Sequence, residues 1–239
     1  MSIYSSLAQL VRDLAASGAA TVEALVERIR AGFAADRETR KRVAFSVAMI
    51  ALSAKMAKAD GVVSQNEINA FRRIFAIPPE EVRNVFRLYD LARQDTAGFE
   101  AYALRMRSLC GSGHGDCALL IDVLDGLFHI AGADGFVHER ELQFLHRVAE
   151  LFEISEREFS RLKARHIVGG EAGAYAVLGV EPTDSPEVIR RRYLELVKEN
   201  HPDRLVARGV PQEFMAIATE RMKAINAAWA TVGKLAPAQ

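Results

Sequence analysis

The sequence predicts an all-α protein: a multi-helix bundle joined by a Gly-rich linker to a small antiparallel helical hairpin. Three observations lead there. Half of the 239 residues are hydrophobic and about a quarter are charged, with Ala abundant and β-branched runs few, the composition of a soluble helical chain. Apolar residues recur at spacings of three and four along most of the length. The stretch Gly169-Gly170-Glu171-Ala172-Gly173 holds three glycines, which cannot keep a helix cheaply, and it divides the chain into residues 1–168 and 174–239.

At the N-terminus, Ile3, Tyr4, Leu7, Leu10, Val11 and Leu14 form one apolar stripe. After Ser17-Gly18, a second follows at Val22, Leu25, Val26, Ile29 and Phe33. Their polar faces mix Arg12, Asp13, Glu23, Glu27, Arg28 and Arg30, whereas a membrane-surface helix is rich in Lys and Arg. Packing on the next unit is therefore preferred to peripheral membrane association. The uncharged run Val43–Ala54, between Arg42 and Lys55, is too short to span a bilayer and suits a buried core helix. Without a signal-peptide pattern or a membrane-spanning run, cytoplasmic residence is the expectation. A formal net charge of zero gives no electrostatic case for nucleic acid as a partner.

From Glu38 to about Arg165 the helical patterns contain a repeat. Lys58-Ala59-Asp60-Gly61-Val62-Val63-Ser64-Gln65-Asn66-Glu67 recurs as Gly132-Ala133-Asp134-Gly135-Phe136-Val137-His138-Glu139-Arg140-Glu141. Each copy reads as helix, Asp-Gly turn, helix, with Gly supplying the left-handed backbone that closes the first helix. The acidic residues Asp60, Glu67, Asp134 and Glu141 admit two readings. Ser64-x-x-Glu67 is a capping box that employs Glu67 on the backbone; His138-x-x-Glu141 keeps the Glu but has a poorer cap. Four oxygen donors could alternatively hold a divalent metal completed by water, although the spacing is not that of an EF-hand. Capping is the stronger reading.

Ile77-Pro78-Pro79-Glu80-Glu81 turns into a helix with Pro at its start, and a further helix is predicted from about Ala97 to Leu109. Cys110-x3-His114-x2-Cys117 supplies three zinc-type ligands on a Gly-rich loop and no fourth, so reduced thiols are preferred to a metal. Asp116 is better used as the N-cap of a helix running to Ile130. His129, His146 and His166 lie in helical patterns and are expected to pack or to be solvated.

Beyond the linker, Ile189, Tyr193, Leu196 and Val197 share one face of a helix over Pro186–Glu199. Phe214, Ile217, Met222, Ile225, Trp229 and Val232 share one face of a second, from about Pro211 to Val232. Between them stands Asn200-His201-Pro202-Asp203-Arg204. Pro202 cannot continue the first helix, so His201 and Asp203 are expected in an exposed tip, free of helical hydrogen bonding.

The order Ala174-Tyr175-Ala176-Val177-Leu178-Gly179-Val180, Pro182-Thr183-Asp184-Ser185, the tripeptide His201-Pro202-Asp203, and Met222-Lys223-Ala224-Ile225-Asn226-Ala227-Ala228-Trp229 resembles a J domain, the Hsp40 module that acts on Hsp70. Arg204-Leu205-Val206-Ala207-Arg208-Gly209-Val210-Pro211 resembles the bacterial DjlA-like branch, whose J domain is C-terminal. The paired Ala-Asp-Gly…Glu pattern resembles a TerB-like helical domain, which that branch joins to its J domain. The resemblance implies a non-enzymatic co-chaperone that stimulates ATP hydrolysis by a DnaK-type Hsp70. His201, Pro202, Asp203, Arg204, Arg190 and Tyr193 would form the Hsp70-binding set. It also implies that the TerB-like part recruits a client or senses a stress cue, and that Asp60, Glu67, Asp134 and Glu141 are the positions discussed for a divalent metal in that family; no other cofactor is implied. The chain departs from the family in two ways. It lacks the transmembrane segment that begins the membrane-anchored members, and Leu194 and Glu195 stand where basic docking residues are usual. The alternative is a TerB-like metal- or membrane-associated stress module with a weakly active J domain; the intact His-Pro-Asp argues against it.

Overall fold

The computed structural model describes residues 9, 12, 27–29, 31, 37–60, 65–75, 77, 79, 82–94, 98–108, 118–167, 170–208, 210–211 and 215–235. Those residues are helical or in turns, with no strand among them, so the chain is all-α. Most of the two N-terminal stripes lies outside the described residues, as do the Cys110-to-Cys117 loop with His114 and Asp116, Gly61–Ser64 and Phe214.

The larger unit is built around α1 (Arg37–Asp60). Every residue from Val43 to Met56 is buried, as its uncharged run predicts, because helices cover it on all sides. Packed on it are α3 (Val82–Gln94), α4 (Phe99–Arg107), α5 (Ala118–Ala131) and α6 (Glu139–Leu151), while α2 (Gln65–Phe75) lies against α5. Even Lys55 is taken into this interior, its ammonium 4.9 Å from the centre of the Tyr102 ring.

The second Asp-Gly turn has the predicted form. A 3-10 turn over Gly132–Asp134 ends at Gly135 with φ +93°, a conformation a side chain would strain. The chain then enters α6, where Glu141 reaches back to accept from the His138 amide at 3.0 Å. Ser155 caps α7 (Glu156–His166) by accepting from the Glu158 amide.

The predicted linker departs from expectation. Gly170–Gly173 open α8 (Gly170–Leu178), and Gly173 and Ala174 are buried where α8 packs on α7 and on the last helix. Tertiary burial outweighs the roughly 1 kcal/mol by which each Gly disfavours a helix. Helix α9 (Pro186–Glu199) has the predicted bounds, with Ser185 as N-cap and Pro186 in the first turn. The tip is also more ordered than expected: α10 (Pro202–Arg208) begins at the proline itself, and the His201 carbonyl accepts from the Arg204 and Leu205 amides. Pro202 ends one helix and starts the next because its missing amide is no loss in a first turn.

The last helix, α11 (Met215–Leu235), serves two interiors. Ile217 and Ala218 lie in the large core, together with Leu205 and Val210. Ile225, Ala228 and Val232 lie in a small core with Val177, Leu178, Ile189 and Leu196. The close approach of α11 to α5 passes over Gly126, where a Cβ would stand 3.0 Å from Ile217 Cδ1 and 2.5 Å from Met49 Cε. The hairpin is therefore packed onto the bundle and not merely tethered to it.

Candidate functional site

The segment from Asn200 to Leu205 alternates sharply between buried and exposed residues. Asn200 and Leu205 are buried, whereas His201, Pro202, Asp203 and Arg204 between them are exposed. The His201 side chain is 58% exposed and that of Asp203 is 91% exposed. The Asp203 amide donates to His201 Nδ1 at 3.3 Å, which in the neutral ring places the proton on Nε2 and leaves that donor to a partner. The Asp203 carboxylate stands 3.6 Å from Nδ1 and keeps most of its accepting capacity.

Helix α9 supplies the adjoining surface. Glu187, Arg190, Arg191, Leu194, Glu195 and Lys198 line one shallow groove on it, and Leu194 is 52% exposed. Arg192 lies beside this face, donating to Glu195 at 3.0 Å with Glu199 at 3.8 Å, so Glu195 carries a partner of opposite sign. Tyr193 sits on the other side. Its ring stacks on Trp229 at 4.8 Å and its hydroxyl donates to Asn226 at 3.1 Å, so this residue holds α9 to α11.

The acidic repeat residues are brought together only in part. Glu141 is buried and employed on the His138 amide, while Asp134 has one carboxylate oxygen buried without a hydrogen-bond partner. The side chains of Asp60 and Glu67, and the whole of Ser64, lie outside the described residues. Among the described residues, no three His, Cys, Asp or Glu side chains gather as a metal would need.

Sequence reasoning missed a buried ionic joint beneath the tip. Asp125 of α5 accepts from Arg165 Nη1 at 2.7 Å and from Arg221 Nε at 2.8 Å, and His166 Nε2 lies 3.0 Å from it. Arg221 Nη1 donates to Asp122 at 2.7 Å and to Asn200 Oδ1 at 3.0 Å. Burial alone would raise the Asp125 carboxyl, but the charges of Arg165 and Arg221 and the His166 hydrogen bond hold it well below the usual carboxylate range. The same carboxylates push the Arg221 guanidinium upward against its burial. His166 and His146, expected to pack or to be solvated, do have partners: His166 stacks on Phe128, and His146 lies 3.3 Å from Glu156. One signal was readable: apart from His129 near its end, α5 interrupts its apolar residues only with two carboxylates three residues apart, and buried carboxylates demand cations.

Away from the hairpin, a cleft of about 200 Å³ opens between α1, α2, α3 and α5, lined by Met56, Ile68, Phe71, Phe86 and Tyr89, with Asp90 and Arg93 as its charged groups. Among the described residues, no helix is long and apolar enough to cross a membrane.

Comparison with known proteins matches two parts of the chain to two families. Residues 46–164 match the family described as tellurite resistance protein TerB, and residues 173–234 match the DnaJ domain. A co-chaperone protein DjlA of Photobacterium profundum is 29% identical over 231 residues, covering 85% of this chain and 82% of that protein. The co-chaperone protein DjlA of Coxiella burnetii is 27% identical over 200 residues, 75% of this chain and 73% of the relative. That of Escherichia coli is 30% identical over 171 residues, 62% and 60% of the two chains. No solved structure matches the chain significantly.

Proposed function

Because the chain belongs to the DjlA-like co-chaperone family, with a TerB domain followed by a C-terminal J domain, we propose that it stimulates ATP hydrolysis by a DnaK-type Hsp70. The carrying observation is the exposure of His201, Pro202, Asp203 and Arg204 between the buried anchors Asn200 and Leu205. Such a tip presents its polar groups without having to order them first, which lowers the entropic cost of docking. Asp203 accepts from an arginine of the Hsp70, as a carboxylate on a constrained turn suits, and the Nε2 proton of His201 is a second contact. Arg190 and Arg191 supply the positive end of the docking groove, and Tyr193 supports it from behind. The protein acts on the ATPase of its partner and performs no chemistry itself. Hsp70 turnover measured with and without the protein tests this. His201→Gln is expected to abolish the stimulation while the melting temperature stays within a degree or two, since exposed substitutions cost within ~0.5 kcal/mol. Full stimulation by that variant would end the reading.

In the same proposal the TerB domain recruits the client, in a cytoplasmic setting. Its apolar cleft supports this, because among the described residues none of the J domain lines it, and a client there would leave the tip free. A photo-cross-linker at Phe86 should then capture the client together with the Hsp70; a cross-linker that captures neither argues against recruitment through this cleft.

A further inference from the structure

One nitrogen of Arg221 joins the two domains. Its Nη1 donates to Asp122 Oδ1 on α5 of the TerB domain and to Asn200 Oδ1 in the J domain. Asn200 is the residue between α9 and His201, and its Nδ2 donates to the Leu196 carbonyl at 2.7 Å, closing the end of α9. Asp122, Asp125, Asn200 and Arg221 are all buried, and buried charge-assisted bonds hold their geometry more firmly than exposed ones. On the far side of the tip, Leu205 is wholly buried in the core that α1 and α5 build. The exposed tip is thus held downstream by the core of the other domain and upstream by Arg221, which the carboxylates of the other domain hold in turn.

We propose that Arg221 and Asn200 are positioning residues, through which the Asp122–Asp125 pair of the TerB domain sets the orientation of His201-Pro202-Asp203 and with it the maximal stimulation of an Hsp70. This rests on the Hsp70 reading above. The carboxylates touch nothing in the partner. They fix the guanidinium of Arg221, which fixes the Asn200 amide, and Asn200 adjoins the first residue of the tip. A joint that only fastened the two domains together would need Arg221 and the two carboxylates, and would be indifferent to Asn200, since both carboxylates still reach Arg221 without it.

The test uses the full chain and Hsp70 turnover across a range of its concentration, so that maximal stimulation and half-maximal concentration are read separately, below the melting temperature of every variant. Asn200→Ala removes the tip's link to Arg221 and leaves the ion pairs. It is expected to lower maximal stimulation about five-fold, with the half-maximal concentration nearly unchanged, an effect typical of coupled buried partners. Asp122→Asn should lower it by a similar factor, and the double variant should be no worse than the poorer single one, because both act along one path. Asn200→Asp keeps an acceptor for Arg221 but loses the bond to Leu196, and should restore stimulation to about half the parent level or more. The proposal is overturned if Asn200→Ala is silent, if the two losses multiply, or if Asn200→Asp stays as low as Asn200→Ala. The last outcome would assign the effect to the helix end instead. Should Asp122→Asn fail to fold, the Ala and Asp variants at Asn200 decide the matter alone. His201→Gln separates the two readings: if it keeps full stimulation, the Hsp70 reading falls and this inference with it; if it abolishes stimulation while Asn200→Ala is silent, only the positioning role falls.

Discussion

Asp125 and Asp203 are the same side chain in opposite circumstances. Asp125 is 2% exposed and is met by two guanidinium groups and an imidazole, whereas Asp203 is 91% exposed with one imidazole 3.6 Å away. The first has given up water and regained its solvation from Arg165, Arg221 and His166. The second keeps its water until a partner replaces it. In the proposed function stability is concentrated in the buried joint and recognition in the tip, and Asn200 adjoins both.

The comparison can be broken from the buried side first. Arg221→Ala leaves Asp122 without its guanidinium and Asp125 with Arg165 and His166 only, and should cost about 3–5 kcal/mol in urea unfolding, the range for an orphaned buried charge. A loss below ~1 kcal/mol would mean that water reaches the joint. Leu205→Ala comes next, at about 2–4 kcal/mol, because the tip's downstream anchor would leave a cavity in the TerB core. Acid sharpens the contrast. A carboxyl whose folded pKa is depressed contributes stability that is present above its unfolded value, about 3.9, and is lost as pH falls through the folded one. The melting temperature should hold from about pH 8 to pH 5 and fall below pH 4, and it should fall less steeply in Arg221→Ala. An identical acid limb in both proteins would detach it from Asp125. The smallest change in stability belongs to the other carboxylate: Asp203→Asn should shift unfolding by no more than ~0.5 kcal/mol while stimulation of the Hsp70 disappears.

What could be read from the sequence was whatever leaves a local trace. A proline and a serine mark the start of α9, the run Val43–Ala54 marks the helix at the centre, and Asp134-Gly135 marks its turn by requiring a positive φ. The exposed tip was legible because Pro202 forbids α9 to continue, although a short helix starting at that proline was not foreseen. The joint was hidden because its members come from α5, α7, the end of α9 and α11, and pairing between distant elements creates no period. The glycines before α8 misled for a related reason. Their intrinsic cost is local and visible, while the packing of α8 on α7 and α11 that offsets it is not. Tyr193 was legible as part of an apolar stripe, whereas its stacking on Trp229, a contact between two helices, was not.

Helix α11 lies in two cores at once, and this bears on how such a protein could be recombined. Four of the residues that the hairpin contributes to the larger core, Leu205, Val210, Ile217 and Ala218, would become solvent-facing if the J domain were cut out and expressed by itself. A J domain transplanted without that apolar set and without Arg221 would leave Asp122 stranded, Asp125 with Arg165 and His166 only, and Gly126 uncovered. Chimeras that exchange only residues 186–201, keeping α10 and α11, respect this boundary. The seam at which this protein tolerates grafting thus runs through the middle of its J domain, not along the glycines that precede it.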